Sequence, residues 1–407
     1  MKTACLIKKQ NAMKLIAVFI AFFSVFAFSG DNYRAAALGI FKTDENAAAQ
    51  KEIKKALDKF EPSVTLKSEI DKDDIADLFY ELLLENKQYY YVSSEITYTY
   101  STKTDLIHTI NFNYCMDRDT ARSTRTAFNN AFKSYITKVD KKWTDLQKCI
   151  FIHDALIMNC KYDTTVQKMS YTAYGALVSG KAVCQGYSLA YAQLLSELGI
   201  ECTVAYSLKD NHMWNCVKIG DSWYNVDVTY DDPLPDAENQ VYHSLFLKST
   251  REINKDGRHN LTADEAPVVT NSSAFDYAFW NDLKSPMSID GDLIFYVTTN
   301  GAISSFNVKN SSRNVIYQIN DIWKIYGTDS YYQGIFSSCA FMKKNLYFNT
   351  SDSVYSFDTS KQTVSKEKTV SIADGCLYGV KAEEGAVYAL KKNSPSSYSD
   401  CKWEKIL

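Results

Sequence analysis

Two residues, Gly220-Asp221, join the apolar-rich runs His212-Met213-Trp214-Asn215-Cys216-Val217-Lys218-Ile219 and Ser222-Trp223-Tyr224-Asn225-Val226-Asp227-Val228-Thr229. A connection this short demands an antiparallel hairpin, and Gly in its first place selects a type II′ turn. The register follows: Ile219 pairs with Ser222, Trp214 with Asp227 and His212 with Thr229. Residues paired across two strands share a face, as do residues two apart along one strand. His212 and Asp227 therefore come out as diagonal neighbours on one face. A slip of one residue would place them on opposite faces.

Upstream, Tyr187, Ala190, Tyr191, Leu194, Leu195 and Leu198 recur at helical spacing, and Gly199 follows as a stop. Cys184 opens that helix, where the positive end of the dipole favours thiolate over thiol. Cys202 to Leu208 reads as a further strand. A Cys in apolar surroundings is usually packing. Followed in order by a His and an Asp that share a face, Cys184 instead reads as a nucleophile, with His212 as its base and Asp227 orienting the His. Cys202 and Cys216, inside alternating strands, read as packing. His153 shares a helix face with Leu146, Ile150 and Ile157 and reads as a hydrogen-bonded core His. Asp231-Asp232-Pro233 reads as a strand-ending turn. H-E-x-x-H, C-x-x-C, EF-hand and phosphate-loop patterns are missing, so neither a metal nor another cofactor is expected.

The 407 residues divide into three stretches after an N-terminal leader. Residues 31–140 alternate helix and strand: helices over Asn46 to Phe60, Lys72 to Asn86 and Thr120 to Val139, and a strand pair over Gln88 to Tyr100 and Leu106 to Cys115. Residues 141–262 hold the chemistry and open on a helix through Asn159, capped by Thr144 with Gln147. Residues 275–407 are all-β. Within them, Phe295 to Asn307 aligns without gaps to Leu346 to Asp358 at a spacing of 51, as repeated strand-turn-strand units resembling propeller blades do.

The leader, residues 1–29, reads as a signal peptide: Lys8, Lys9 and Lys14, an apolar run from Leu15 to Phe28, then Ala27-Phe28-Ser29 as a cleavage site. Removing it takes four lysines and no acid from a chain of formal charge −3, leaving about −7, which argues against a nucleic-acid partner. The mature chain is expected outside the cell, in solution or at the cell surface, with no stable membrane span. Nine cysteines remain after the leader, without regular spacing, and an odd number leaves at least one thiol free in a monomer.

The run Gly180-Lys181-Ala182-Val183-Cys184-Gln185-Gly186-Tyr187, then His212-x-Trp214-Asn215, then Trp223-Tyr224-x-Val226-Asp227-x-Thr229-x-Asp231-Asp232-Pro233, resembles bacterial secreted transglutaminase-like domains. Ile152-His153-Asp154, Tyr162-Asp163 and Tyr242-His243-x-Leu245-Phe246-Leu247 are similar to flanking segments of the same group. Tyr230 departs from it, standing where the related pattern usually has Trp. The resemblance implies an α+β chain whose papain-like, transglutaminase-like core sits between an α/β leader domain and the C-terminal β domain. It also implies a Cys-His-Asp triad of Cys184, His212 and Asp227. The expected activity is cleavage or transfer of an amide acyl group on a protein or peptide, of the cell wall or surface among others, with hydrolysis favoured over cross-linking. The alternative is a catalytically inactive module that binds a surface protein or wall polymer.

Overall fold

The computed structural model describes residues 21–22 and 44–407, apart from 208, 262–266, 325–330, 335, 373–375 and 393–400. The signal peptide read from the sequence lies outside the described residues except for β1 (Ala21–Phe22), which pairs with the edge of β3. Among the described residues, no helix is long and apolar enough to cross a membrane.

The first stretch runs α1 (Asp44–Asp58), β2 (Ser63–Thr65), α2 (Ile75–Glu85), β3 (Val92–Tyr100), β4 (Ile107–Tyr114) and α3 (Arg118–Ile136), with strand order β1-β3-β4-β2. Three helices and a strand pair match the sequence pattern. The strand β2 was not expected, because three residues are too few to show alternation. The helix α2 buries Ile75, Leu78, Phe79, Leu82 and Leu83.

The middle stretch begins with α4 (Asp145–Asn159), whose start carries the expected reciprocal cap between Thr144 and Gln147. A short parallel pair follows, β5 (Lys161–Tyr162) with β6 (Lys181–Ala182), and β6 delivers the chain to α5 (Cys184–Glu197). Every residue of α5 from Cys184 to Leu195 is buried, as befits a helix enclosed on all sides. Against it packs the antiparallel sheet β7 (Cys202–Ser207), β8 (His212–Ile219) and β9 (Ser222–Val226), with β8 in the centre.

The β8–β9 register is the one derived from the turn: Ile219 pairs with Ser222 and Asn215 with Val226. Of the two turn residues only Gly220 takes positive φ, at 59°. The strand expected to reach Thr229 stops at Val226 instead. Asp227 caps the one-turn helix α6 (Val228–Asp231), its carboxylate accepting from the Thr229 and Tyr230 N–H groups. That local bond competes with the ladder and ends the strand. His212 consequently has Ser207 of β7 as its paired neighbour and does not face Thr229.

Successive antiparallel sheets make up the third stretch. They are β10 (Ser288–Asp290) to β11 (Leu293–Val297), β12 (Ala302–Asn307) and β13 (Arg313–Gln318); the pair β14 (Ile322–Lys324) and β15 (Tyr331–Gln333); β16 (Cys339–Met342), β17 (Asn345–Asn349), β18 (Ser353–Asp358) and β19 (Thr363–Thr369); and β20 (Cys376–Glu383), β21 (Ala386–Lys392) and β22 (Cys401–Lys405). The repeat read from the sequence falls on β11–β12 and β17–β18. Both copies bulge at the same place, after Ile303 and after Val354, 51 residues apart. One continuous core takes in residues from Ala49 to Tyr296, so it runs from the first stretch through the middle and into the start of the third. A backbone-to-side-chain bond joins the same regions: the Met287 N–H donates to Asp154 Oδ2 at 2.7 Å.

The start of α5 is clamped by the loop before it. Asp163 accepts from the Thr165 and Gln167 N–H groups at 3.0 Å and from the Ser170 hydroxyl, and the Ser170 carbonyl accepts from the Val183 N–H at 2.9 Å. The same carbonyl lies against Gly186, where a Cβ would stand 2.3 Å from its oxygen. In an ordinary helix Gly→Ala stabilises by about 1 kcal/mol. Here the sign should reverse: Gly186→Ala is expected to destabilise the protein by about 1–3 kcal/mol through overpacking. A urea midpoint at or above that of the wild type would show that the loop yields freely.

Candidate functional site

Helix α5, strand β8 and the β9–α6 junction each contribute one of the three residues singled out in the sequence. Cys184 is the first residue of α5 and 7% exposed; Val183 precedes it in extended conformation without a side-chain cap. The first N–H groups of a helix have no intrahelical partner, so the thiol sits in a partly positive field. His212 is the first residue of β8, and the Cys184 sulfur is close enough to raise its imidazole. Its Nε2 lies 2.5 Å from Asp227 Oδ2. With Nε2 on the carboxylate, Nδ1 is the nitrogen left for the sulfur.

Asp227 is completely buried, and its two oxygens divide the work. Oδ1 accepts from the Thr229 N–H at 2.9 Å and the Tyr230 N–H at 3.0 Å. Oδ2 meets His212 and also Nε2 of His259, at 2.7 Å. Burial alone would push this carboxyl up, but the charge of His212 and hydrogen bonds from both imidazoles hold it well below the usual carboxylate range. The same pairing acts in reverse on His212. Burial opposes its charge, yet the Asp227 carboxylate and the Cys184 sulfur push the imidazole up to about 10.

Rings enclose the His. Tyr230 lies 4.4 Å from His212 between ring centres, Trp214 stacks at 5.9 Å, and the Arg258 guanidinium sits 4.3 Å over the Tyr230 ring. Tyr230 thus takes the place where the related sequence pattern has Trp, against the imidazole. Burial raises the Tyr162 and Tyr171 hydroxyls, and the Cys184 sulfur adds to the effect. Trp214 is inward-facing core: its indole N–H donates to Asn225 Oδ1 at 2.9 Å.

A second buried cluster lies on α4. His153 Nδ1 and His243 Nε2 both meet Asp154 Oδ1 at 2.9 Å, and His153 Nε2 faces Asp231 Oδ2 at 3.3 Å. Burial disfavours the His153 charge, but hydrogen bonds to Asp154 and Asp231 carry it up to about 9. His153 is thus the hydrogen-bonded core His expected from its helix face. Asp231 is more than a turn residue: it also accepts from the Leu245 N–H at 3.0 Å, tying α6 to the following loop. His153, Asp154 and His243, and likewise His212, Asp227 and His259, bring potential metal-ligand atoms within 4.8 Å of one another. In both trios a single carboxylate oxygen is shared by two ring nitrogens, while His153 Nε2, apart from its contact with Asp231, and His243 Nδ1 are buried without a hydrogen-bond partner.

All nine cysteines from Cys115 onward are free thiols. Cys202 and Cys216 are buried in the sheet as expected. His259 and Asp256 were missed. They fall in a polar segment, Asp256-Gly257-Arg258-His259-Asn260, that has no periodicity and reads as a domain-ending loop.

Residues 131–228 match the family model of the transglutaminase-like superfamily. A solved structure described as the crystal structure of a TGase is similar over 41% of this chain and 50% of that one, at 14% identity and a TM-score of 0.22, a likeness too slight to bear on the fold. The chain therefore spans about half the length of that protein. No curated protein matches the chain. Cys184, His212 and Asp227 all lie inside the matched segment, and the chain carries a transglutaminase-like domain.

Proposed function

We propose that this protein is a cysteine enzyme of transglutaminase-like type that cleaves or transfers an amide acyl group through Cys184, His212 and Asp227. One observation carries the reading: a thiol at a helix start meets an imidazole whose far nitrogen lies 2.5 Å from a buried carboxylate. In the scheme, His212 holds the proton of the thiol and Cys184 attacks as thiolate. The sulfur adds to the amide carbonyl carbon, and the carbonyl π electrons move onto oxygen. The Cys184 N–H at the helix start is one donor to that oxyanion. When the oxyanion collapses, the C–N bond breaks and His212 gives its proton to the departing amine, leaving a thioester. Water or a primary amine then loses a proton to His212 and attacks the thioester, and the C–S bond breaks to restore the thiolate. No cofactor enters.

Hydrolysis is the favoured outcome, because amine transfer needs a site that excludes water while holding the amine. The substrate class is protein or peptide, with cell-wall and surface material as the setting implied by an N-terminal signal peptide and export. The papain-like core is assigned to residues 141–262 behind a leader domain of 31–140, and the blade-like sheets of 275–407 to a cap or a binding surface.

Iodoacetamide at neutral pH should label Cys184 ahead of the other eight described thiols, read by mass mapping of the native protein. Desolvation raises Cys149, Cys160, Cys202, Cys216 and Cys339, which makes them poor nucleophiles. An inert Cys184 would remove the enzyme reading and leave the binding module. Asp227→Asn should fold but lose turnover by about four orders of magnitude, since the amide favours the wrong His tautomer.

The pH profile is a separate check. His212 is protonated below its raised pKa and loses its proton above it. The alkaline fall in acylation rate should therefore lie near pH 10 and not near the ordinary imidazole value. A fall centred at pH 6 to 7 would mean that the carboxylate does not hold the His212 proton. Incubation with a Gln-containing peptide and a labelled primary amine should release more free acid than amine adduct; the opposite ratio makes the protein a cross-linking enzyme.

A further inference from the structure

Residues 254–261 form a strap behind the site. Asn260 fastens it to the β7–β8 turn, its N–H and its side-chain amide each donating to Asp210 at 2.7 Å. Asn254 ties its two ends, its Nδ2 donating to the Leu261 carbonyl at 3.0 Å. Between these anchors His259 is 0% exposed. Its ring stands edge-on to three others, with centres 5.0 Å from Trp214, 5.4 Å from His212 and 5.4 Å from Tyr230. Nε2 lies 2.7 Å from Asp227 Oδ2, and Nδ1 lies 2.9 and 3.0 Å from the two oxygens of Asp256. Asp256 is in turn held by the Arg258 N–H at 2.8 Å and the Arg258 Nε at 3.1 Å. The strap, residues 254–261, lies wholly beyond the segment that matches the transglutaminase-like superfamily, which ends at residue 228.

We propose that His259 is a positioning residue of the acyl-transfer site, holding Asp227 from behind so that the working unit is the chain Cys184–His212–Asp227–His259–Asp256. The inference rests on the function proposed above. Its physical basis is the economy of Asp227 Oδ2. That oxygen is shared by two ring nitrogens, while Oδ1 is committed to two backbone N–H groups. The carboxylate plane is thereby fixed at both oxygens, and the His212 ring inherits that fixed orientation. With His259 removed, Oδ2 keeps one partner in a dry pocket. The carboxylate can then turn toward α6, and the 2.5 Å contact to His212 loosens. Asp256 does for His259 what Asp227 does for His212, fixing which way the ring faces. The groups facing His212 are Cys184 from α5, Asp227 and Tyr230 from the β9–α6 junction and His259 from the strap, with Arg258 and Asp256 behind them.

The test compares wild type with His259→Leu, His259→Gln and Asp256→Asn in the full chain. Two measurements are made: the rate of Cys184 alkylation by iodoacetamide, and the downfield proton resonance that a short Nε2–H to carboxylate bond on His212 produces. Leu removes the donor to Asp227 and Gln keeps one. His259→Leu should slow alkylation by about 10–100-fold, the size of effect that loss of an outer partner has on a metal-bound His, and should shift the His212 resonance upfield. His259→Gln should recover most of the rate and the resonance, and Asp256→Asn should fall between. A merely structural role would lower the folded fraction, seen by circular dichroism, without moving the resonance of the molecules that remain folded. Wild-type-like rate and resonance in a folded His259→Leu would overturn this inference alone. A wild-type Cys184 that does not react would overturn the enzyme reading and this inference with it.

Discussion

The buried carboxylate of Asp227 is the constraint on which the site depends. An ionised carboxylate out of water is expensive unless its lone pairs are met. Here they are met from three directions: two backbone N–H groups of α6, the His212 ring at the start of the central strand β8 and the His259 ring on the strap. The requirement also explains the local fold. Strand β9 ends at Val226 because the Asp227 side chain takes the Thr229 and Tyr230 N–H groups, and the chain turns into α6 at the point where a sixth ladder pair would have formed.

Around that centre the molecule repeats one device, a buried carboxylate between ring N–H groups. Asp154 of α4 serves His153 and His243 as Asp227 serves His212 and His259, and Asp231 joins the two clusters because it ends the helix that Asp227 begins. The packing of α4 against α5 therefore bears on the orientation of α6, and α6 on the carboxylate. Burial on this scale is supplied by a core that runs from Ala49 to Tyr296, well past the helix and hairpin that hold the three residues. The Met287 N–H on Asp154 draws the start of the β-rich stretch into the same arrangement.

The loop of residues 163–172 packs against the start of the helix that carries the thiol. Asp163 gathers the loop around its own carboxylate, and Gly186 lets the loop backbone lie against α5 two residues after Cys184. Burial raises the Tyr162 and Tyr171 hydroxyls at either end of the loop, with the Cys184 sulfur adding to the effect. A side chain at position 186 would lift the loop, and the sequence Cys184-Gln185-Gly186 records that steric limit directly.

Local chemistry alone determined the hairpin register, the start of α5 at Cys184, the cap at Thr144, the helices and strand pair of the first stretch and the repeat in the third. Each depends on contacts between residues near in sequence or on a period that can be counted: a two-residue turn, a reciprocal cap, a spacing of 3.6 or of 2. From these, Cys184, His212 and Asp227 could be named and the last two placed on one face. Tertiary structure decided what those rules cannot reach. The end of β9 was set by a competition between the ladder and the Asp227 side chain. The joining of His153 to Asp231 and His243 depends on burial of groups up to 90 positions apart. His259 reaches Asp227 across 32 positions, from a segment with no periodicity at all, because a dry carboxylate oxygen needed a second donor and the fold had brought one there.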